Sequence, residues 1–205
     1  MLPETIESIG DFAFVMCKAL TRVVLPESIN YIGADPFIFD DSDAEDEKIL
    51  LEVVVSPDHP YLAMIDGVLY SKPDKRLIYC PYDKTSLEVP DGIQIIGDYA
   101  LSIHTYLSSI SLPDSVTRIG SCAFWGTQNI DINIPEELTY IGEYAFFLTT
   151  PTTINLPKGI TYIGEGAFSW CDATITVTRD TYAAQYCKDN GLNYTYPDID
   201  NWLYE

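Results

Sequence analysis

Basic side chains are scarce in this sequence: 11 Lys and Arg stand against 31 Asp and Glu in 205 residues, a formal charge of −20. Such a field repels DNA, RNA and anionic lipid, and no nucleic-acid partner is expected. No apolar run reaches the ~18 residues that a membrane helix needs, and no basic-then-apolar leader opens the chain. Histidine is limited to His59 and His104. No Ser-His-Asp or Cys-His order stands out, and no glycine-rich phosphate loop is present. The five cysteines, Cys17, Cys80, Cys122, Cys171 and Cys187, show no Cys-x-x-Cys spacing, which removes the usual zinc and redox signatures. Together these absences predict a non-enzymatic chain with no cofactor and no metal site.

What the chain has in quantity is repetition. Ile-Gly occurs at Ile9-Gly10, Ile32-Gly33, Ile96-Gly97, Ile119-Gly120, Ile141-Gly142 and Ile163-Gly164, with glycine steps of 23, 64, 23, 22 and 22 residues. Seven residues before each glycine stands a proline: Pro3, Pro26, Pro90, Pro113, Pro135 and Pro157. Three residues after it come Ala13, Pro36, Ala100, Ala123, Ala145 and Ala167, followed by Phe14, Phe37, Leu101, Phe124, Phe146 and Phe168. This period is too short for tetratricopeptide or ankyrin helix pairs and fits the coil of a leucine-rich repeat.

In such a stack each column lands on itself one rung away, roughly 4.8 Å along the pairing direction. The aromatic column is then expected to form a continuous internal ladder. The glycine is expected at a turn that a side chain would obstruct or that needs φ > 0. Leu20–Leu25, Leu107–Leu112 and Ile130–Ile134 alternate apolar and polar residues as strands do, and each is closed by a proline that cannot donate to a ladder. Apolar residues make up 47% of the chain, ample for a core buried between coils.

The segment Leu112–Phe124, Leu-Pro-Asp-Ser-Val-Thr-Arg-Ile-Gly-Ser-Cys-Ala-Phe, resembles the BspA-like, treponemal-type bacterial leucine-rich repeat, and Leu156–Phe168 and Leu2–Phe14 match it equally well. Like that subclass, the chain lacks the asparagine ladder of eukaryotic repeats. Asp66–Tyr70 with Leu77–Pro81 resembles a hairpin unit that interrupts such arrays. The resemblance implies a bacterial protein at the cell surface or secreted, acting as an adhesin or binding scaffold. Its partner would be a protein or glycan, host-derived ones included. It implies no catalytic residue.

The fold class expected is thus a β-rich leucine-rich-repeat solenoid, a right-handed coil stack with one β-hairpin insertion and a short C-terminal capping helix. The expectation is a single domain over 1–205: regular repeats at 2–37 and 89–177, an acidic loop and hairpin at 38–88, and a cap at 178–205. Opening at Leu2-Pro3, in mid-repeat, suggests an excised or processed piece, or an uncapped first coil. The hairpin runs Gly67–Ser71 and Arg76–Cys80 around a Lys72–Lys75 turn. Asp180–Asn190 reads as a helix with Asp180 as N-cap and Gly191 just past its end. Tyr194–Glu205 either adds a strand or stays mobile.

Candidate sites follow from the columns. Asp41, Asp43, Glu45 and Glu52 have EF-hand offsets, but Asp46 stands where the loop needs glycine, so a solvated acidic loop is expected. Cys17 and Cys171 share a column five rungs apart, roughly 24 Å, which is too far for a disulfide. The cysteines are expected to be free and buried, with Cys171–Cys187 the one pairing left open. His104 shares the column of Cys17, which suits a packed turn residue. Outward strand positions read Arg22 and Val24, then Ser109, Ser111, Asp131, Asn133, Thr153, Asn155, Thr174 and Thr176: two columns of short polar groups suited to a binding face or to plain solvation. The column before Ile-Gly, which includes Tyr31, Arg118, Tyr140 and Tyr162, offers either an amphipathic strip for a partner or a cover for the flank. A spacer with no ligand of its own is the alternative role.

Overall fold

The computed structural model describes residues 2–15, 17, 19–37, 52–151 and 153–197. The acidic residues Asp41, Asp43, Glu45 and Asp46 lie outside these. Within them the chain is a β-solenoid of about eight turns with one short helix near its C-terminus. Each regular coil contributes two strands. One precedes the proline, as in Ser109–Ser111, and the other is the dipeptide ending in the Ile of Ile-Gly, as in Arg118–Ile119. Pairing between coils is parallel, and the repeat columns are its register: Arg118 faces Ile95 and Tyr140, and Tyr140 faces Tyr162.

The third side of each coil, the residues after the glycine, is not strand yet pairs just as regularly. Tyr99, Leu101 and Ile103 donate their N–H groups to the carbonyls of Ser121, Ala123 and Trp125 one coil on. Cys122, Phe124 and Gly126 repeat the pattern to Glu143, Ala145 and Phe147. The geometry works because residues two and six after the glycine are left-handed. Tyr99, Cys122 and Tyr144 have φ of 58°, 53° and 52°, and Ile103, Leu148 and Trp170 have 57°, 54° and 56°.

The repeat glycine is thereby explained by contact alone. Its φ is not left-handed. A Cβ on Gly142 would lie 2.5 Å from the carbonyl carbon of Gly120 and 2.7 Å from Ser121 Cα, and one on Gly97 would lie 2.5 Å from the Leu77 carbonyl oxygen. Neighbouring coils meet backbone to backbone here, and no rotamer change could make room.

The aromatic ladder is segmented, not continuous. Phe124, Phe146 and Phe168 stack nearly parallel with centroids 5.1 and 5.3 Å apart, and Phe14 stacks on Phe37 at 5.6 Å. Between the two runs Leu101 takes the column, and Tyr79 meets Phe37 edge-on at 5.4 Å. The cause is the insertion, which is larger than a hairpin. Leu62–Ile65, Val68–Ser71 and Arg76–Tyr79 form an antiparallel meander, whose last strand pairs in parallel with Ile95–Ile96. Leu62–Ile65 escapes a sequence reading because its four apolar residues show no alternation.

The meander stands as a wall with a core on each side. Leu62, Leu69, Ile78 and Tyr79 pack toward the N-terminal coils, whereas Val68, Tyr70, Leu77 and Cys80 join the C-terminal core. His59 ties its entry to the second coil. Nδ1 accepts from the N–H groups of Tyr61 and Leu62, and Nε2 lies 3.0 Å from the Pro26 carbonyl, which fixes the Nε2–H tautomer.

The helix spans Tyr182–Asp189 and covers the last coil with Ala183, Ala184 and Cys187. Its N-cap is Thr181, whose side-chain oxygen accepts from the Ala184 N–H at 3.2 Å, and not Asp180, whose φ of 59° places it in a preceding turn. Gly191, with φ of 63°, ends the helix as expected. Tyr194–Thr195 then adds a strand beside Thr174–Thr176. Residues 198–205 lie outside the described set.

Candidate functional site

Three outward surfaces remain once the core is removed. The first is the strand face before the proline. The structure divides its polar residues between two sheets. Ser109, Ser111 and Asp131 belong to one, and Thr153, Asn155, Thr174 and Thr176 belong to another with Tyr194–Thr195. Among the described residues, no strand pairing links the two sheets. The first sheet gains Ser86–Glu88, which lies inside the stretch assigned to the insertion. Its residues Ser86 and Glu88 face Ser109 and Ser111 in register. A shallow depression there is lined by Ser86, Glu88, Ser109, Ser111, Asp131 and Asn133.

Asn133 is not a free recognition group. Its Oδ1 accepts from the Leu112 N–H and its Nδ2 donates to the Leu112 carbonyl, both at 2.9 Å, so the side chain completes the ladder that its backbone leaves early. Toward the N-terminus this face changes character. Arg22 and Val24 pair with Glu52 and Val54, and Arg22 Nε donates to Glu52 Oε2 at 2.8 Å in an exposed ion pair. Glu52, the twelfth residue of the calcium-loop spacing, is therefore engaged with a cation of its own chain.

The second surface is the column before Ile-Gly. Tyr140 and Tyr162 stack at 4.7 Å with their planes 14° apart, and the Arg118 guanidinium sits 3.6 Å above the Tyr140 ring. Their strands belong to a seven-stranded sheet that runs unbroken from the meander through Tyr162–Ile163, and Arg76 takes the same column one strand before Ile95. Thr117 Oγ1 donates to the Gln94 carbonyl, Thr139 to that of Thr117 and Thr161 to that of Thr139, a second ladder stiffening the strip's edge. At its C-terminal end the Tyr182 hydroxyl accepts from the Ile163 N–H at 3.4 Å. Tyr31 does not join this strip. Among the described residues it pairs with Ser8, in a separate two-stranded sheet.

The third surface, missed by column reading, is the left-handed side after the glycine. Phe12, Tyr99, Trp125 and Phe147 make successive ring contacts at 5.2, 6.5 and 6.5 Å, and Tyr144 joins Phe147 at 5.6 Å. In these segments the column that repeats is the inward one four after the glycine, Phe14, Leu101, Phe124, Phe146 and Phe168. The outer aromatics alternate between two columns, which hides them in a single alignment.

The groups with chemical potential are held in structural roles. His104 is buried, with Nδ1 2.9 Å from the Ser102 carbonyl, Nε2 3.0 Å from that of Cys80, and its ring stacked on Tyr82 at 4.6 Å. All five cysteines are free. Cys80, Cys122 and Cys187 are buried, Cys171 is half-buried and, against expectation, Cys17 is exposed. Burial pushes the Cys80 thiol up to about 12 and that of Cys187 to about 11, which suppresses the nucleophilic thiolate. Burial also pushes the Asp35 carboxyl up to about 7; the Ser102 hydroxyl offsets part of the rise, although neither Asp35 Oδ2 nor Ser102 Oγ has a hydrogen-bond partner of good geometry. No group of three or more His, Cys, Asp or Glu among the described residues could hold a metal, and none of their helices is long and apolar enough to cross a membrane.

Parallel coils of this length, with an apolar column inside and one covering helix, define a leucine-rich-repeat β-solenoid. The chain belongs to the BspA type leucine rich repeat family, whose region matches in six copies over residues 1–46 and 76–187. Similar folds are found in the pneumococcal vaccine antigen PcpA (24% identity, 84% of this chain and 42% of that one, TM-score 0.72). A leucine rich cell surface protein of Faecalibacterium prausnitzii is also similar (24%, 98% and 54%, 0.69), as is a leucine-rich repeat protein of Eubacterium ventriosum (23%, 86% and 46%, 0.60). The chain thus spans about half the length of these relatives. No curated protein matches its sequence.

Proposed function

We propose that this chain is a non-catalytic binding module of a bacterial cell-surface or secreted protein, forms a single domain, and engages a protein partner through the strip Arg118, Tyr140 and Tyr162. The observation that carries the reading is the preorganised stack. Arginine and tyrosine dominate binding energy at interfaces, and here their rotamers are set before any partner arrives. The family and the cell-surface description of a similar protein support the location.

The depression at Ser86, Glu88, Ser109 and Ser111 supports a second reading, recognition of a glycan by hydroxyl and carboxylate groups. One panel separates these. Extracellular-matrix proteins and a glycan array are screened with the wild type, Tyr140→Ala/Tyr162→Ala and Ser111→Lys. Loss of a protein ligand only in the tyrosine variant supports the strip, and loss of a glycan only in Ser111→Lys supports the depression. Binding that neither variant disturbs defeats both, and no binding at all favours a spacer.

A further inference from the structure

The left-handed side carries a feature that packing does not account for. Positions two and six after the glycine favour glycine, because a side chain there crowds its own backbone. The chain uses glycine once at each position, Gly166 and Gly126. Asp35 and Cys122 are buried at position two, but in the last coils large side chains stand exposed in these columns: Tyr144 is 40% exposed, Leu148 43% and Trp170 76%. Backbone strain of this kind is retained where something other than burial selects the side chain.

The chemistry around these rings is one-sided. Asp98, Glu143 and Glu165 stand directly after the repeat glycines, in the same segments as Tyr99, Tyr144 and Trp170, and Asp98 Oδ1 accepts from the Ser121 N–H at 2.8 Å with its second oxygen left over. Segments 98–106, 121–129, 143–151 and 165–173 contain no lysine and no arginine. An aromatic face edged by carboxylates and lacking a cation of its own is complementary to a guanidinium or ammonium group. The chain makes that contact internally on other surfaces, with Arg118 over Tyr140 and Arg179 over Tyr196 at 3.6 and 4.0 Å.

We infer that the aromatic and acidic side formed by Tyr99, Trp125, Tyr144, Phe147 and Trp170 is a docking surface for an arginine- or lysine-rich segment of a partner protein. It is separate from the Tyr140–Tyr162 strip, and either site can fail without the other.

The probe is a labelled synthetic peptide of alternating arginine and glycine, read by fluorescence anisotropy at physiological salt. Trp170→Gly/Tyr144→Gly leaves the net charge unchanged and places glycine where φ is positive, which offsets the ring packing lost at Tyr144, and a cooperative melt confirms that the variant is folded. Affinity should fall about tenfold, the scale of losing aromatic cation contacts. Glu136→Gln/Glu137→Gln removes two exposed charges elsewhere and should change affinity less than about twofold, as screened distant charges do; Tyr140→Ala/Tyr162→Ala should leave it unchanged. Equal losses in the glutamine and ring variants would reduce the effect to net charge and overturn the proposal. Undiminished peptide binding by the ring variant would also overturn it, as would a ring-dependent affinity for neutral glycans with none for the peptide.

Discussion

The two coils within residues 2–37 and the four within 89–177 share one set of columns, yet the same residue does different work in each. Gly10 and Gly142 are both the glycine of Ile-Gly. A Cβ on Gly10 meets nothing within 4 Å, whereas one on Gly142 collides with the backbone of the preceding coil. Ala13 is exposed and Phe14 half-buried, whereas Ala145 and Phe146 are fully enclosed. In the second coil Asp35 occupies the left-handed position that Tyr99, Cys122 and Tyr144 take later, and it is buried beside the meander. A repeat column therefore specifies a place in the coil. Its energetic value comes from the coils on either side, as nearest-neighbour stacking requires.

The largest effect should come from the middle of the longer run. Ile119 is fully buried between coils on both sides. Ile119→Ala should cost about 4 kcal/mol, the scale of a buried large-to-small change. Ile9→Ala, whose strand pairs with a single neighbour among the described residues, Tyr31–Ile32, should cost about half as much because packed neighbours line the cavity on one side only. Urea denaturation of the two variants measures both, and equal losses would mean that the two runs are energetically alike.

The contrast sharpens at Asp35. Its folded pKa of about 7 lies above the ordinary 3.8, so between those values the folded state holds a proton that the unfolded chain has released. Stability from this group therefore falls as pH rises from about 4 to about 7 and is level on either side, a total of about 4 kcal/mol. Asp35→Asn keeps the shape and suits a positive φ. It should match the wild type near pH 4 and exceed it near pH 8. Denaturation midpoints across that range check the sign, and a wild-type slope that survives in Asp35→Asn would show that the carboxylate is solvated.

How much of this was readable in the sequence depends on what each residue answers to. The repeat, the parallel register of Arg118, Tyr140 and Tyr162, the packed role of His104 and the C-terminal helix were legible, because each reflects periodicity or local capping. The third meander strand was not, since Leu62–Ile65 is uniformly apolar. The side-chain commitment of Asn133 was hidden, because its partner lies one coil away at Leu112. The left-handed side was hidden too. Its usual sequence mark is glycine, which stands there only at Gly126 and Gly166, and aromatic residues in such a conformation carry no local signature.

The repeat glycine offers the finest test of the comparison, because one substitution made twice should give opposite signs. At Gly142 an added methyl group meets Gly120 and Ser121 backbone atoms that are themselves paired into the ladder. The coils must separate locally, and Gly142→Ala should cost about 2 to 3 kcal/mol, as overpacking does. At Gly10 the methyl group points into open space and φ is not left-handed. Gly10→Ala should therefore stabilise by up to about 0.5 kcal/mol, through the entropy that the unfolded chain loses. Thermal melts of the two variants decide it. If Gly10→Ala destabilised as much as Gly142→Ala, the glycine would be required by the backbone of the coil itself, and contact between coils would no longer explain why Ile-Gly recurs.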